Sequence, residues 1–187
     1  AYMIGHPEDA SWELLQDVNV FQSFLQQDIL LSIAILKDNK FLNGSGVGEP
    51  QGLIGNTAPG VTGIAAGTDN YGSELIDASF DVLGKLNAVY HPNDAFLMNR
   101  ATSIIIRKAQ KSANLFEPVF VRVGGVDYLH GYRCEYSSNV PTVAATKTGG
   151  LFGDFKSGYI VGNRGGSGVN VKILDQPKAL EGLLTIL

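Results

Sequence analysis

Apolar residues recur at helical spacing along the first long segment of the chain. The recurring positions are Phe21, Phe24, Leu25, Ile29, Ile33 and Leu36. This spacing predicts a helix from Val18 to about Asn39, and a helix of that size extends about 33 Å. Asp28 is the only charged residue between Val18 and Leu36. A solvated helix face normally carries charges, so we expect this helix to contact protein on more than one side, within its own chain or in a neighbouring subunit.

A shorter helix is predicted just before the long one. The segment Ser11–Val18 reads SWELLQDV, and its serine is a residue type that commonly caps a helix N-terminus. Glu13 follows two residues later, in the first turn, where a negative charge is favourable.

Glycine dominates the sequence that follows the long helix. The stretch Phe41–Gly55 reads FLNGSGVGEPQGLIG and contains five glycines, and a loop-rich segment continues as far as Gly72. Glycine supplies backbone conformations with positive φ that other residues avoid, so the pattern predicts turns. Asp69 or Asn70 is placed to cap the next helix, which we expect to end near Asn87.

A mixed layer and then a series of strands are predicted for the rest of the chain. Residues 94–98 indicate a buried strand, residues 99–102 a turn, and the residues up to about Gln110 a helix. Later strands are predicted at 119–123, 127–129 and 132–136, in a hairpin that turns at Asp154–Ser157, and in the segments GVNVKIL and EGLLTIL. Helices followed by strands indicate the α+β class.

Composition and charge exclude several classes of protein. The chain carries a net charge of −4 and has no basic stripe, which argues against tight, direct binding of nucleic acid. Its one cysteine, Cys134, cannot form an intrachain disulfide. The sequence shows neither a signal-peptide pattern nor an apolar run long enough to span a membrane. Charged residues make up only 17% of the chain, which suits a surface partly covered by partners.

Candidate chemistry is sparse. The glycines of Gly44–Gly48 resemble a dinucleotide-binding loop, but a helix precedes them, the third glycine comes one residue early, and Pro50 removes a backbone N–H. Isolated histidines near turns are not a metal-site pattern; these are His6, His91 and His130. Glu8 and Asp9 are expected to be solvated. The sequence therefore predicts no catalytic, cofactor-binding or metal-binding residues and no cofactor.

Four segments, in order, carry a resemblance to a known family. They are ELLQD with the long helix and FLNGSGVGEPQGLIG, then AFLMNRATSIIIRK, then LHGYRCEYSSNVP, and finally LFGDFKSGYIVGNRGGSGVNV. Together, from about Glu13 to Ile173, they resemble the major capsid proteins of tailed bacteriophages, the HK97-like family. Arg133 stands where the family usually has the proline of a glycine-tyrosine-proline strand.

The resemblance implies a long spine helix, a peripheral domain and an axial domain. Residues 1–47 and 162–187 would form the peripheral domain with the spine helix, and residues 48–161 the axial domain. The glycine-rich stretch is then a joint between the two. Most of the family's N-terminal arm and extended loop is missing, and members continue past Leu187 with a basic strand, so we expect a truncated subunit. The lysine and asparagine that crosslink in some members cannot be placed here.

The resemblance implies a structural rather than an enzymatic role. The expected function is a subunit that assembles with copies of itself into pentamers and hexamers of an icosahedral capsid enclosing double-stranded DNA. Scaffolding or portal proteins would be further partners, with no membrane, and assembly would take place in the bacterial host cytoplasm before the virion is complete. Without its arm, the chain is expected to be monomeric or to form one small ring. Two alternatives stay open: an encapsulin-like nanocompartment shell, and a small α/β nucleotide-binding enzyme that uses Gly44–Gly48.

Overall fold

The structure is a computed structural model, and it describes residues 8–11, 21–57, 61, 71–112, 118–144, 147–162, 173–174 and 183–186. Helices and two β-sheets make up this part of the chain, which confirms the predicted α+β class.

The long helix α1 spans Phe21–Asn43, which confirms the predicted helix from Phe21 onwards and extends its C-terminal end by four residues. The first three residues of the prediction, 18–20, lie outside the described part. It ends where Gly44 N–H donates to the Lys40 carbonyl at 2.9 Å. One part of its surface buries Ile29 and Ile33. Another part leaves Leu31 and Ile35 more than half exposed, so the chain itself covers only part of this apolar helix.

Three further helices follow α1, and the second and third of them pack against each other. The first is a one-turn helix α2, Leu53–Asn56, within the glycine-rich stretch. Helix α3 spans Tyr71–Leu83 and α4 spans Arg100–Ser112. The methylene of Gly72 lies against Ala109, where an added Cβ would meet the alanine Cβ at 2.3 Å. This close approach lets the two helix backbones come near each other, and only glycine fits there.

Two boundary predictions in this region were wrong. The helix predicted to reach Asn87 ends at Leu83, because the side chain of Asn87 accepts from Val89 N–H at 3.1 Å and caps a separate 3₁₀ helix, Ala88–Asn93. The turn predicted at residues 99–102 is the start of α4. Asn99 Oδ1 accepts from Ala101 N–H at 3.0 Å, so it caps a helix that begins at Arg100.

A five-stranded sheet packs with helices α3 and α4, and we call this unit the lobe. Its strands are β2 (Ala95–Met98), β3 (Phe120–Val123), β4 (Val126–Leu129), β5 (Tyr132–Tyr136) and β6 (Gly150–Gly153). The spatial order is β3-β4-β5-β2-β6. Strands β2 and β5 run parallel and the other pairs run antiparallel. The predicted strands that correspond to β2 to β5 are confirmed.

The predicted hairpin around Asp154–Ser157 was wrong in its second half. Strand β6 is present, but residues 155–158 form a short helix α5, Phe155–Gly158. The Asp154 carboxylate accepts from the N–H groups of Lys156 and Ser157 at 3.1 and 3.2 Å, which caps a helical turn instead of a strand-to-strand turn. Residues 159–162 belong to no strand, and the residues beyond them, up to 172, lie outside the described part.

A second, three-stranded sheet joins the two ends of the chain in the order β1-β8-β7. Strand β1 is Glu8–Ser11, β7 is Ile173–Leu174 and β8 is Leu183–Ile186, and both pairings are antiparallel. Strands β7 and β8 confirm the last two predicted strands over residues 173–174 and 183–186, and the other residues of those two predicted segments lie outside the described part. Strand β1 was not predicted, because its residues are polar. Ser11, the first residue of the predicted short helix, belongs to strand β1 instead. The other residues of that predicted helix lie outside the described part.

The hydrophobic core lies between the five-stranded sheet and helices α3 and α4. Its buried members are Leu75, Ile76, Phe96, Met98, Ile106, Phe120, Leu129 and Cys134. The register places Phe96 beside Cys134 on β5 and beside Phe152 on β6, with the two phenylalanine ring centroids 4.5 Å apart. Burial of these side chains holds the helices on one face of the sheet.

Candidate functional site

The glycine-rich stretch after α1 folds back on itself. Ser45 forms an antiparallel bridge with Gln51, and Gly52 N–H donates to the Gly44 carbonyl at 2.7 Å. A Cβ on Gly44 would lie 2.1 Å from the Pro50 carbonyl oxygen, and one on Gly52 would lie 2.5 Å from the Gly44 nitrogen. These backbone segments touch directly, so both positions require glycine. The loop is a closed, fixed-shape connection.

An acidic side chain, Glu49, bonds across this loop to Ser45 and is partly exposed. Glu49 accepts from Ser45 N–H at 2.7 Å and forms an ion pair with Lys40 of α1. The hydrogen bond from Lys40, followed by the backbone bond from Ser45, lowers the pKa of Glu49 to about 2. A phosphate-binding loop needs free N–H groups and no negative charge at its centre. Because Glu49 already takes the Ser45 N–H and brings a charge, this geometry does not support the nucleotide-binding alternative for Gly44–Gly48.

The C-terminal end of α1 is tied to the turn after β5. Asp38 accepts from Ser137 Oγ at 2.6 Å and from Asn139 Nδ2 at 2.7 Å. Asn43 Nδ2 donates to the Asn139 carbonyl at 2.8 Å. The same turn is held from the opposite side by Asn99, whose Nδ2 donates to the Val140 carbonyl at 2.8 Å. The turn therefore links the long helix to the start of α4.

A second link runs from the loop to the segment after α5. Tyr159 donates from its hydroxyl to the Gln51 carbonyl at 2.8 Å. Its ring meets Phe41 of α1 edge to face, with the centroids 6.1 Å apart. These contacts and those of Asp38 fix the angle at which the helix leaves the five-stranded lobe. The sequence predicted turns in this stretch and the resemblance implied a joint between two domains, but neither indicated which residues hold the stretch in place.

A buried carboxylate, Asp127, lies on strand β4. Asp127 is 7% exposed, and it forms an ion pair with Arg107, accepts from the Tyr136 hydroxyl at 2.6 Å and lies 3.5 Å from Arg122 Nε. Burial by itself raises the pKa of Asp127. The Tyr136 hydrogen bond and the Arg107 charge together lower this pKa by more than burial raises it, so the pKa lies below its ordinary value. Arg107 also lies over the Phe120 ring, 4.4 Å from its centroid.

The surface hollow beside this cluster has a volume of about 220 Å³ and offers no activated nucleophile. Burial, followed by the Asp127 charge, raises the pKa of Cys134 to about 12. Burial and the hydrogen bond to Asp127 raise the pKa of Tyr136 to about 12. Both groups are therefore protonated at neutral pH, whereas a thiol or phenol used in catalysis needs a lowered pKa. The cluster fits a structural role.

One serine-histidine pair is present in the lobe. Ser79 Oγ lies 2.6 Å from His130 Nε2, and the serine hydroxyl donates to the Ile76 carbonyl at 2.6 Å. Since that bond uses the hydroxyl proton, the histidine must be the donor, the reverse of what a general base requires. Burial lowers the pKa of His130, and its ring packs on Phe80 with centroids 3.9 Å apart. The pair anchors the turn after β4, where His130 adopts a φ of 53°.

The two histidines that the structure describes each have a separate partner. His91 pairs with Asp94 at 2.9 Å, His130 pairs with Ser79, and His6 lies outside the described residues. Within the described ranges, no three side chains of the metal-binding types are close enough to hold an ion. A search of the described helices finds none with the length and apolar character needed to cross a membrane.

Comparison with known proteins gives a consistent result. The model of the phage capsid family matches residues 1–187. Two solved structures are similar: a capsid chain of an empty GTA particle, at a TM-score of 0.70 and 23% identity, and one of a native GTA particle, at 0.64 and 22%, both computed with C5 symmetry. The alignments cover 98% of this chain and 64% of each capsid chain. A search of the curated proteins gives no match. The fold is therefore HK97-like, as the sequence resemblance implied.

Proposed function

Because the chain belongs to the phage capsid family, we propose that it is a structural subunit which assembles with copies of itself into the shell of an icosahedral particle. The family match over the full length of the sequence carries the proposal. The architecture supports it: a long helix, a sheet that joins the two ends of the chain, and a lobe with no activated nucleophile among its described residues.

The subunit has two domains in this proposal. Residues 1–47 and 162–187 form the peripheral domain with the spine helix α1, and residues 48–161 form the axial domain. The pairing of β1 with β8 supports this division, because it brings residues 8–11 against residues 183–186. The closed loop between Gly44 and Gly52 supports it as well, since a fixed-shape joint is what a connection between two such units needs.

The subunits form rings of five and six, and these rings close the shell around double-stranded DNA. Ring contacts are heterologous, with one surface of each subunit meeting a different surface of the next. Each contact can be weak because the closed particle contains many of them. The net charge of −4 suits a container that confines DNA without binding it tightly. Scaffolding and portal proteins are further partners, assembly takes place in the host cytoplasm, and the protein is a component of the virion.

The proposal is tested by expressing the complete reading frame that encodes these 187 residues and imaging the product. Closed particles built from rings of five and six are expected, together with nuclease-protected DNA in particles from the native host. Particles that enclose a protein cargo and no DNA would indicate a nanocompartment shell. A product that stays monomeric under every condition of salt and concentration would contradict self-assembly.

A further inference from the structure

Two adjacent helices of the lobe carry opposite charge. Helix α3 contains Glu74, Asp77 and Asp81 and no basic residue. Helix α4 contains Arg100, Arg107, Lys108 and Lys111 and no acidic residue. The helices pack through apolar positions, among them Leu75, Ile76 and Ile106. The exposed charges lie away from this contact, and they are Asp77 and Asp81 on α3 and Arg100, Lys108 and Lys111 on α4.

The exposed face of each helix has one large apolar side chain among charged residues at helical spacing. On α3, Asp77, Phe80 and Asp81 lie at helical spacing on one face, and Phe80 is 51% exposed. On α4, the exposed face carries Ile104, which is 45% exposed, between basic residues one turn away on either side. These basic residues are Arg100 and Lys108, and Lys111 continues the face. Each face thus combines one apolar side chain with charges of a single sign.

Four of these charges have no ion-pair partner in the described part of the chain. Among the residues that the structure describes, no ion pair involves Asp77, Asp81, Lys108 or Lys111. The four side chains are also exposed. By contrast, Arg107 is paired with the buried Asp127 and is committed to the core of the lobe. The exposed acidic and basic faces are therefore both available to a partner.

We propose that the acidic face of α3 in one subunit docks on the basic face of α4 in the next copy of this chain. This inference rests on the proposed function and names the surfaces by which neighbouring subunits meet. In this arrangement each subunit uses α3 towards one neighbour and α4 towards the other, which makes the contact heterologous. Repetition of one rotation then produces a closed ring.

Charge complementarity selects a second copy of the chain as the partner. Along a helix, Asp77 and Asp81 are separated by about 6 Å, and Lys108 and Lys111 by about 4.5 Å, so the two pairs can meet. Phe80 and Ile104 supply apolar area at the same contact. Exposed ion pairs contribute little each, but they fix the register and exclude wrong partners, and a ring repeats them.

Charge reversal tests the proposal in the complete reading frame. The α3 variant Asp77→Lys/Asp81→Lys presents two basic faces, and the α4 variant Lys108→Glu/Lys111→Glu presents two acidic faces. Each alone is expected to reduce the yield of assembled particles by about tenfold or more, since like charges then face each other at every contact. The variant with all four substitutions keeps the net charge of the native chain and restores complementarity, so we expect closed particles to return.

A mixture of the two reversed variants gives a sharper result. An α3 variant can meet only an α4 variant on either side, so the two must alternate around a ring. Alternation closes rings with an even number of subunits and cannot close a ring of five. The mixture is therefore expected to form six-membered rings, sheets or tubes, without closed icosahedral particles.

The control is Lys147→Glu/Lys156→Glu, which makes the same change in net charge as the α4 variant at exposed positions outside both faces, and assembly is expected to continue.

Normal assembly of both reversed variants, or no recovery in the folded four-substitution variant, would overturn the inference and leave the shell function intact. Normal assembly with less nucleic acid in the Lys108→Glu/Lys111→Glu particles would overturn it as well, and would show that α4 binds nucleic acid instead. If the native chain forms no particles, sedimentation of the mixed α3 and α4 variants tests the contact directly. Association of the two variants with each other supports the contact, and no association overturns it.

Discussion

The carboxylate of Asp38 accepts a hydrogen bond of 2.7 Å from the side-chain amide of Asn139, which lies 101 residues later in the chain. The same carboxylate oxygen accepts from Ser137 Oγ at 2.6 Å. Asp38 lies near the C-terminal end of α1, and the other two residues lie in the turn after β5. One side chain on the long helix thus holds the turn of the five-stranded lobe against it.

Replacement of Asp38 by alanine is expected to lower the free energy of unfolding by about 1 kcal/mol, because the two donors are exposed and can bond to water instead. Urea unfolding measures the change. Asn139→Ala should cost about the same, and the double variant should cost less than the sum, since both changes break one shared bond. Strictly additive costs would show that the bond in the structure does not form in solution. Asp28→Ala, an exposed change elsewhere on α1, is the control and should have almost no effect.

Gly44→Ala is expected to destabilise the protein by about 1–3 kcal/mol. The added Cβ would lie 2.1 Å from the Pro50 carbonyl oxygen, so the loop would have to open. Gly55→Ala is the matched control. Gly55 lies in α2, does not have a positive φ, and has room for a methyl group with no other atom within 4 Å, so alanine there should be neutral or slightly stabilising. Equal melting temperatures for the two variants would contradict the closed loop.

Asp127→Asn is expected to cost about 1–2 kcal/mol at neutral pH, because it removes a buried negative charge and leaves the partly exposed Arg107 beside a neutral group. The folded protein lowers the pKa of Asp127 below its ordinary value of 3.8. Its contribution is therefore complete above pH 3.8 and is lost as the pH falls through the folded pKa. The difference in stability between native protein and variant should shrink in acid, as chemical unfolding at several pH values will show.

The control for Asp127 is Glu135→Gln on the neighbouring strand. Glu135 also pairs with an arginine, Arg133, but both side chains are at least half exposed, so its replacement should change stability by about 0.5 kcal/mol or less. A cost at Glu135 as large as that at Asp127 would contradict the assignment of Asp127 as the buried charge of the lobe.

The Glu49 carboxyl group should titrate with a midpoint near pH 2. Because this pKa lies below its ordinary value of 4.5, the loop is stabilised by Glu49 above pH 4.5, and that contribution is lost as the pH falls towards 2. Carbon-detected NMR of the side-chain carboxyl measures the midpoint. Lys40→Met removes the largest cause and should move the midpoint towards 4.5, whereas Lys37→Met, about one turn earlier on α1, should not. A native midpoint near 4.5 would show that the loop is open in solution.

Local sequence patterns were sufficient for most of the elements. The long helix, α4 and strands β2 to β5 each show a hydrophobic period in the chain itself, and the structure confirms them. The predicted element boundaries were wrong where capping by one polar side chain determined which kind of turn forms. Asn87, Asn99 and Asp154 each accept from nearby backbone N–H groups and start a helical turn, and several residue types could have filled those positions without capping.

Strand β1 shows a different limit. Its residues, Glu8–Ser11, have no apolar alternation, and the strand exists because β8 pairs with it from the other end of the chain. Hydrogen bonding by the backbone does not depend on side-chain type, so such a strand leaves little trace in its own sequence.

The order of apolar, glycine and strand segments determined by itself the α+β class, the resemblance to capsid proteins and the turns of the glycine-rich stretch, because these depend on residues close together in the chain. Only the tertiary structure decided which side chains hold that stretch in place, that Asp127 is buried among arginines, and that the acidic and basic faces of α3 and α4 are both exposed. Those relationships join residues tens of positions apart. Their free energies depend on distance and burial in space, which local spacing in the sequence does not specify.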